Sequence, residues 1–352
     1  MRRTRSLMVP CLAVLMFLTA AGPAGAGSYR LIARIAVPGA PLGSFDISWI
    51  DPATQTYYLA DPSNAGVDVI NMKDHTFAGR IGGFVGFRGK NNVSGPNGVV
   101  LVPSQHELWV TDGDSTVKVV DLHSRTITAT ISTGGTKRAD ELDYDEADGV
   151  ILVANPNDSP PFVTFISTKT RAILGKVTFP DAKDGLEQPV WDAVAQRFYL
   201  AIPETTDHPG GAIAVIDPKA MKVTSVFPLA LCYPHGLSLG PQPHLLVGCS
   251  KEANARSIIL DTRTGGTVAT ITSVGGSDQV WYNPGDKRYY LAARANPGGP
   301  VLGIIDAQTQ AWIENVPTVK DAHSVAVDPK TNQVFVPLTN IGVGVYATGG
   351  GG

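Results

Sequence analysis

The chain has 352 residues, of which 43% are hydrophobic and 17% charged, and its formal net charge is −3. Ample apolar material with little net charge excludes a disordered chain, and an isoelectric point of about 6.2 provides no basic surface for nucleic acid. The 38 glycines and 26 prolines predict many tight turns between short strands.

Residues 1–26 have the pattern of a secretory signal peptide. Three arginines among the first five residues precede an apolar run from Leu7 to Ala20, and small residues follow up to Ala24-Gly-Ala26. The run is short for a bilayer span and is interrupted by Pro10. We therefore expect a periplasmic or secreted protein in which residues 27–352 form one domain without a membrane span.

A unit of four short strands recurs along the rest of the chain. In one copy, Asp46–Asp51 is followed by a turn and the strand Thr56–Ala60; in another, Glu187–Asp192 is followed by Arg197–Ala201. Seven copies begin at positions 46, 97, 140, 187, 235, 278 and 323. Four strands in about 40–50 residues is the period of a β-propeller blade. The sequence thus predicts an all-β, seven-bladed propeller of four-stranded antiparallel blades.

The two ends of the chain predict how the ring closes. The last copy supplies only about three strands, ending at Val343–Tyr346, whereas Tyr29–Ala36 is a spare strand. We expect the spare strand to complete the seventh blade, because this closure removes two open sheet edges.

Every copy opens with a polar residue just before its innermost strand, so these seven side chains should meet at one mouth of the central channel. They are Asp46, Asn97, Asp140, Glu187, His235, Asp278 and His323. Two unit charges of the same sign about 6 Å apart repel by roughly 3 kcal/mol at an effective dielectric constant near 20. A cation, protonation or water must relieve this repulsion, so two interpretations stay open: a divalent-metal site or a solvated polar channel.

A metal would bind to a subset of the ring, since seven ligands cannot reach one ion. Carboxylate and amide oxygens favour Ca²⁺ or Mg²⁺, whereas the histidines favour Zn²⁺ or another transition metal. Neighbouring blades give two predicted ligand sets, which are Asp140 with Glu187 and His235, and His323 with Asp46 and Asn97.

Loops that follow the second strand of each blade should reach the same mouth. Among their polar residues we predict substrate contacts for Arg294, Glu204 and Asn155. Arg294 is suited to bind a carboxylate with two hydrogen bonds, or it simply neutralises the acidic mouth. The same hairpin geometry brings Cys232 close to Cys249, which predicts a disulfide; free buried thiols and metal ligation beside His235 are the alternatives.

The pattern of strands and turns resembles the YVTN-repeat or YncE-like propellers. Two stretches, Glu187–Asp192 and Pro96–Val99, resemble the SMP-30/gluconolactonase group. In that group a Glu and an Asn at such strand starts bind a divalent metal, which implies this role for Glu187 and Asn97.

Three functions follow from these observations. The first is a lactonase-like, metal-assisted hydrolase with Asp140, Asp278 or His323 as general base. The second is a non-catalytic scaffold that binds a small molecule or a protein partner. The third is a metal-dependent lyase, similar to the streptogramin lyases, in which a channel histidine abstracts a proton. The sequence has no G-x-S-x-G, H-E-x-x-H or C-x-x-C-H motif, so serine-nucleophile and haem chemistry have no support.

Overall fold

Seven four-stranded antiparallel sheets surround a central channel in the computed structural model, which describes residues 28–349. This confirms the predicted seven-bladed propeller. The predicted signal peptide lies outside the described residues. In the described part of the chain, no helix combines the length and the apolar character needed to cross a membrane.

Each of the first three blades runs from its innermost to its outermost strand in chain order. They consist of β2 (Ser48–Asp51), β3 (Thr56–Asp61), β4 (Gly66–Asn71) and β5 (Thr76–Gly82); β6 (Val99–Val102), β7 (Glu107–Thr111), β8 (Thr116–Asp121) and β9 (Thr126–Ser132); and β10 (Leu142–Asp145), β11 (Val150–Asn155), β12 (Phe162–Ser167) and β13 (Ile173–Thr178).

The next three blades repeat the same order. They consist of β14 (Pro189–Asp192), β15 (Arg197–Ile202), β16 (Ala212–Asp217) and β17 (Lys222–Pro228); β18 (Pro234–Leu239), β19 (His244–Cys249), β20 (Ser257–Asp261) and β21 (Thr267–Ile271); and β22 (Val280–Asn283), β23 (Arg288–Ala293), β24 (Val301–Asp306) and β25 (Trp312–Pro317). Short 3₁₀ turns occupy Pro62–Asn64, Asn91–Val93, Pro103–Gln105 and Lys251–Ala253.

The seventh blade joins the two ends of the chain, as predicted. Its inner strands are β26 (Ala326–Val327), β27 (Val334–Leu338) and β28 (Gly342–Thr348), and β1 (Tyr29–Ile35) pairs antiparallel with β28 as the outermost strand. The Tyr29 hydroxyl also accepts a hydrogen bond from Arg288 of blade 6 at 2.8 Å. The closing strand is therefore tied to two blades.

Apolar side chains are buried between adjacent blades, where each sheet packs its face on the next. Tyr58 and Val67 of blade 1, for example, pack against Val99 and Leu108 of blade 2. The outermost strands instead alternate between exposed and more buried residues, as in Thr126–Ser132, because only one of their faces packs on a neighbour. This packing holds the innermost strands around the channel and fixes where each one begins.

Candidate functional site

All seven strand-opening residues line one cavity of about 1040 Å³ at a single mouth of the channel. Six of them lie just before the innermost strand of their blade, and His235 is the second residue of β18. Backbone hydrogen bonds join neighbouring blades at this level. Ile47 N donates to Asn97 O at 3.2 Å, and Gln279 N donates to His323 O at 3.0 Å. We call this cavity the polar funnel; its wall also includes Arg138, Glu141 and Arg294.

Three of the seven residues, from the adjacent blades 4, 5 and 6, are arranged as metal ligands. One ligand atom each from Glu187, His235 and Asp278 lies within 4.8 Å of the other two. His235 Nδ1 is 3.7 Å from Glu187 Oε2 and 3.6 Å from Asp278 Oδ1. Among residues 28–349 this is the one such cluster of His, Cys, Asp and Glu. The first predicted ligand set shares Glu187 and His235 with this cluster, in which Asp278 takes the place of Asp140.

The two carboxylates make His235 a strong base. Burial by itself lowers the pKa of this imidazole, but the attraction of Glu187 and Asp278 outweighs burial and raises the pKa to about 9. Burial raises the pKa of Glu187, against the opposing effect of His235. A metal ion at this cluster must consequently displace a proton from His235.

Arg294 lies beside the cluster, as the hairpin geometry predicts. Its Nη2 is 2.8 Å from Asp278 Oδ2, and 39% of its side chain is exposed. Burial would raise the pKa of Asp278, but Arg294 and His235 together hold that pKa well below its usual range. Asp278 is therefore ionised at any ordinary pH, and Arg294 keeps N–H groups free for a ligand in the funnel.

The opposite side of the funnel is neutralised by a residue that the sequence analysis missed. Arg138 donates from Nη1 to Asp46 Oδ2 at 3.3 Å, and its Nη2 is 2.5 Å from Asp140 Oδ2. Burial raises the pKa of Asp140 well above its usual range, although Arg138 acts in the opposite direction. Arg138 lies two residues before Asp140, so a search of the positions flanking each strand start would have found it.

Glu141 is the second wall residue that the sequence analysis missed. It follows Asp140, is 7% exposed, and leaves Oε2 without a hydrogen-bond partner. Burial raises its pKa well above the usual range, and the neighbouring carboxylates act in the same direction. No cation pairs with it in the described part of the chain.

Two ring residues contact backbone carbonyl groups through their side chains. His323 has Nδ1 at 2.7 Å from Asp321 O and Nε2 at 3.0 Å from Phe45 O, so both ring nitrogens lie at hydrogen-bond distance from carbonyl oxygens. A role for His323 as general base or metal ligand would require one of these contacts to be released. Asn97 is 2% exposed and donates from Nδ2 to Ala139 O at 2.9 Å, which ties blade 2 to blade 3.

Of the three predicted substrate contacts, Arg294 lines the funnel, whereas Glu204 and Asn155 lie outside its wall. Asn155 is fully buried and donates to Ser115 Oγ at 2.9 Å. Glu204 pairs with Lys183 at 3.7 Å near the surface.

Cys232 and Cys249 form a disulfide bond, the first of the three alternatives for this pair. Cys249 ends β19 and faces Pro234, the residue before His235, across the ladder. The bond therefore fixes the chain that leads into the metal-ligand cluster.

Comparison with known proteins gives no family assignment. No protein-family model matches the chain. No curated protein is significantly similar to it.

Proposed function

We propose that the polar funnel binds a divalent transition-metal ion on Glu187, His235 and Asp278 and uses it for metal-assisted hydrolysis of a small ester or lactone. The convergence of these three side chains within 4.8 Å at the wall of an open cavity carries the proposal. A bound divalent ion polarises a carbonyl and lowers the pKa of its bound water.

The ligand geometry favours zinc over calcium. Zinc binds nitrogen and oxygen ligands at 2.0–2.2 Å, so tetrahedral ligands lie about 3.3 Å apart. The observed separations of 3.6 and 3.7 Å around His235 need to contract by only a few tenths of an ångström, and the Glu187–Asp278 separation, which is within 4.8 Å, by at most about 1.5 Å. Calcium takes six to eight oxygen ligands, which one imidazole and two carboxylates do not supply. Three protein ligands facing a cavity leave a fourth position open, as catalytic zinc sites require.

Arg294 and Glu141 complete the proposed site. Arg294 keeps N–H groups free beside the cluster and is suited to hold a carboxylate of the substrate. Three general bases were predicted from the sequence. Asp278 is assigned here as a metal ligand, Asp140 forms an ion pair with Arg138, and the ring nitrogens of His323 contact carbonyl oxygens. Glu141 is a buried funnel carboxyl without a cation, and we assign to it the exchange of protons with the substrate.

Metal removal and three variants test this function. We expect zinc-dependent hydrolysis within a panel of short-chain esters and γ- and δ-lactones, measured by pH-stat titration. EDTA should abolish that activity. Glu187→Gln, His235→Ala and Asp278→Asn should each abolish zinc binding and turnover. Glu146→Gln and His123→Ala, which alter exposed residues, serve as matched controls. Hydrolysis that survives both EDTA and His235→Ala would contradict the proposal.

A binding scaffold without catalysis is the second candidate, and one observation favours it. Arg138 already neutralises Asp46 and Asp140, and His235 lies between two carboxylates, so the funnel is charge-compensated without a metal. In that case EDTA leaves ligand binding intact, and Arg294→Met weakens it. The lyase mechanism has no comparable support, because His235 is assigned to the metal and both His323 nitrogens are at hydrogen-bond distance from carbonyl oxygens.

We also propose that the protein acts outside the cytoplasm. The pattern of residues 1–26 supports export. The Cys232–Cys249 bond is consistent with an oxidising compartment. Fractionation of cells that produce the full chain tests this localisation.

A further inference from the structure

A second cavity lies farther along the central channel, beyond the polar funnel. Its volume is about 350 Å³, and its lining comes from the innermost strands of six of the seven blades. Pro52, Pro284 and Pro329, which follow the ends of three of these strands, belong to the lining. The cavity is thus at the end of the channel opposite the funnel; we call it the aromatic chamber.

The chamber wall differs sharply in chemistry from the funnel wall. The third residues after the seven ring residues are Trp49, Val100, Asp143, Val190, Ser238, Trp281 and Ala326, and all of these except Val100 and Ala326 line the chamber. Trp49 and Trp281 meet edge to face with ring centroids 5.1 Å apart. They belong to blades 1 and 6, and the small Ala326 of blade 7 lies between them in the ring order. Trp191 adds a third indole to the wall.

Asp143 is the one carboxylate in this wall, and no Lys, Arg or His lines the chamber. In the described part of the chain Asp143 belongs to no ion pair. Its Oδ2 accepts from Trp191 N at 2.6 Å and its Oδ1 from Tyr144 N at 2.8 Å. These two bonds orient the carboxylate and leave about half of its acceptor capacity unused. Burial raises the pKa of Asp143 to about 7, against the effect of the two N–H groups.

We infer that the aromatic chamber is a binding site for a small organic ammonium ion with an apolar body. An ammonium group supplies the cationic partner that Asp143 lacks within the protein. Indole faces attract the same charge through their quadrupole, and the remaining apolar wall buries the ligand's hydrocarbon part. The volume lies in the range of small-molecule pockets. This site is independent of the metal site in the funnel.

Calorimetric titration with 2-phenylethylamine tests the inference, with the neutral 2-phenylethanol as a ligand of matched shape. We expect one amine per chain and an alcohol affinity at least about tenfold lower, because a buried carboxylate distinguishes charged from neutral partners. Asp143→Asn should weaken amine binding by at least about tenfold, since it removes the charge and keeps the shape. Asp74→Asn, at an exposed position, is the matched control and should change nothing.

The acidic funnel is the competing site for an amine, and Glu187→Gln separates the two. Amine binding that persists in Glu187→Gln and falls in Asp143→Asn supports the chamber. Binding that is lost in Glu187→Gln but kept in Asp143→Asn overturns the inference, as does equal affinity for the amine and the alcohol or no saturable binding. If Asp143→Asn does not fold, two other measurements decide. Trp281→Leu should weaken amine binding, and the unmodified protein should bind the amine more tightly than the alcohol.

Discussion

The guanidinium of Arg138 spans the mouth of the funnel and lies 3.3 Å from the carboxylate of Asp46, two blades away around the ring. The same guanidinium pairs with Asp140. One arginine therefore does on this side of the funnel what we propose a metal ion does on the other. This division explains why Glu187, His235 and Asp278 form the ligand cluster and why Asp46 and Asp140 stand apart from it.

Removing this arginine should destabilise the propeller. Arg138→Met leaves Asp46 and Asp140 without a cation in a largely buried place, and breaking such a pair costs about 3 kcal/mol. Thermal unfolding followed by circular dichroism measures the loss. Arg30→Met, at an exposed position, should change the unfolding free energy by less than about 0.5 kcal/mol. An unchanged melting temperature for Arg138→Met would show that Arg138 does not neutralise the funnel.

The fold and the ring of seven residues could be predicted from the sequence because they follow from the repeat. Once the strand starts are aligned, the alternation of the strands fixes which side chains meet at the channel. The division of the ring could not be predicted, because it depends on the reach of one loop side chain, Arg138. The same applies to His323, whose ring nitrogens contact carbonyls that only the folded loops bring close. Alignment of the repeats predicts where each residue lies around the ring, but the direction of its side chain determines which residues it contacts.

Zinc affinity should rise steeply with pH. Glu187 and Asp278 raise the pKa of His235 to about 9, and the metal needs the neutral imidazole. Below that pKa the neutral fraction falls tenfold per pH unit, so the dissociation constant for zinc should fall by about tenfold per unit between pH 6 and pH 8. Competition with a chromogenic chelator measures it. A flat profile would mean that His235 is not a ligand.

The metal-free protein should lose stability as the pH rises. The pKa of His235 is raised from its ordinary value of 6.5 to about 9, so its stabilising contribution is complete below pH 6.5 and disappears as the pH rises through 9. We expect the difference in melting temperature between the unmodified protein and His235→Gln, both in EDTA, to be largest near pH 6. That difference should vanish by about pH 10. A difference that grows with pH would contradict the assigned charge state.

The disulfide should contribute to global stability and to the geometry of the cluster. Cys232 and Cys249 are 17 residues apart, and closing a loop of this size stabilises the fold by about 3 kcal/mol. The Cys232→Ser/Cys249→Ser double variant should unfold at a lower temperature and bind zinc more weakly, since the bond fixes the strand that carries His235. Reduction of the unmodified protein checks the first effect without a substitution.

The proposed function depends on metal binding by Glu187, His235 and Asp278. The most direct measurement is anomalous diffraction at the zinc edge from crystals of protein purified without chelators and supplied with one equivalent of zinc. We expect a single strong peak about 2 Å from His235 Nδ1 and from a carboxylate oxygen of both acidic residues. A funnel without a peak, or a peak at the Asp46–Asp140 side, would contradict it.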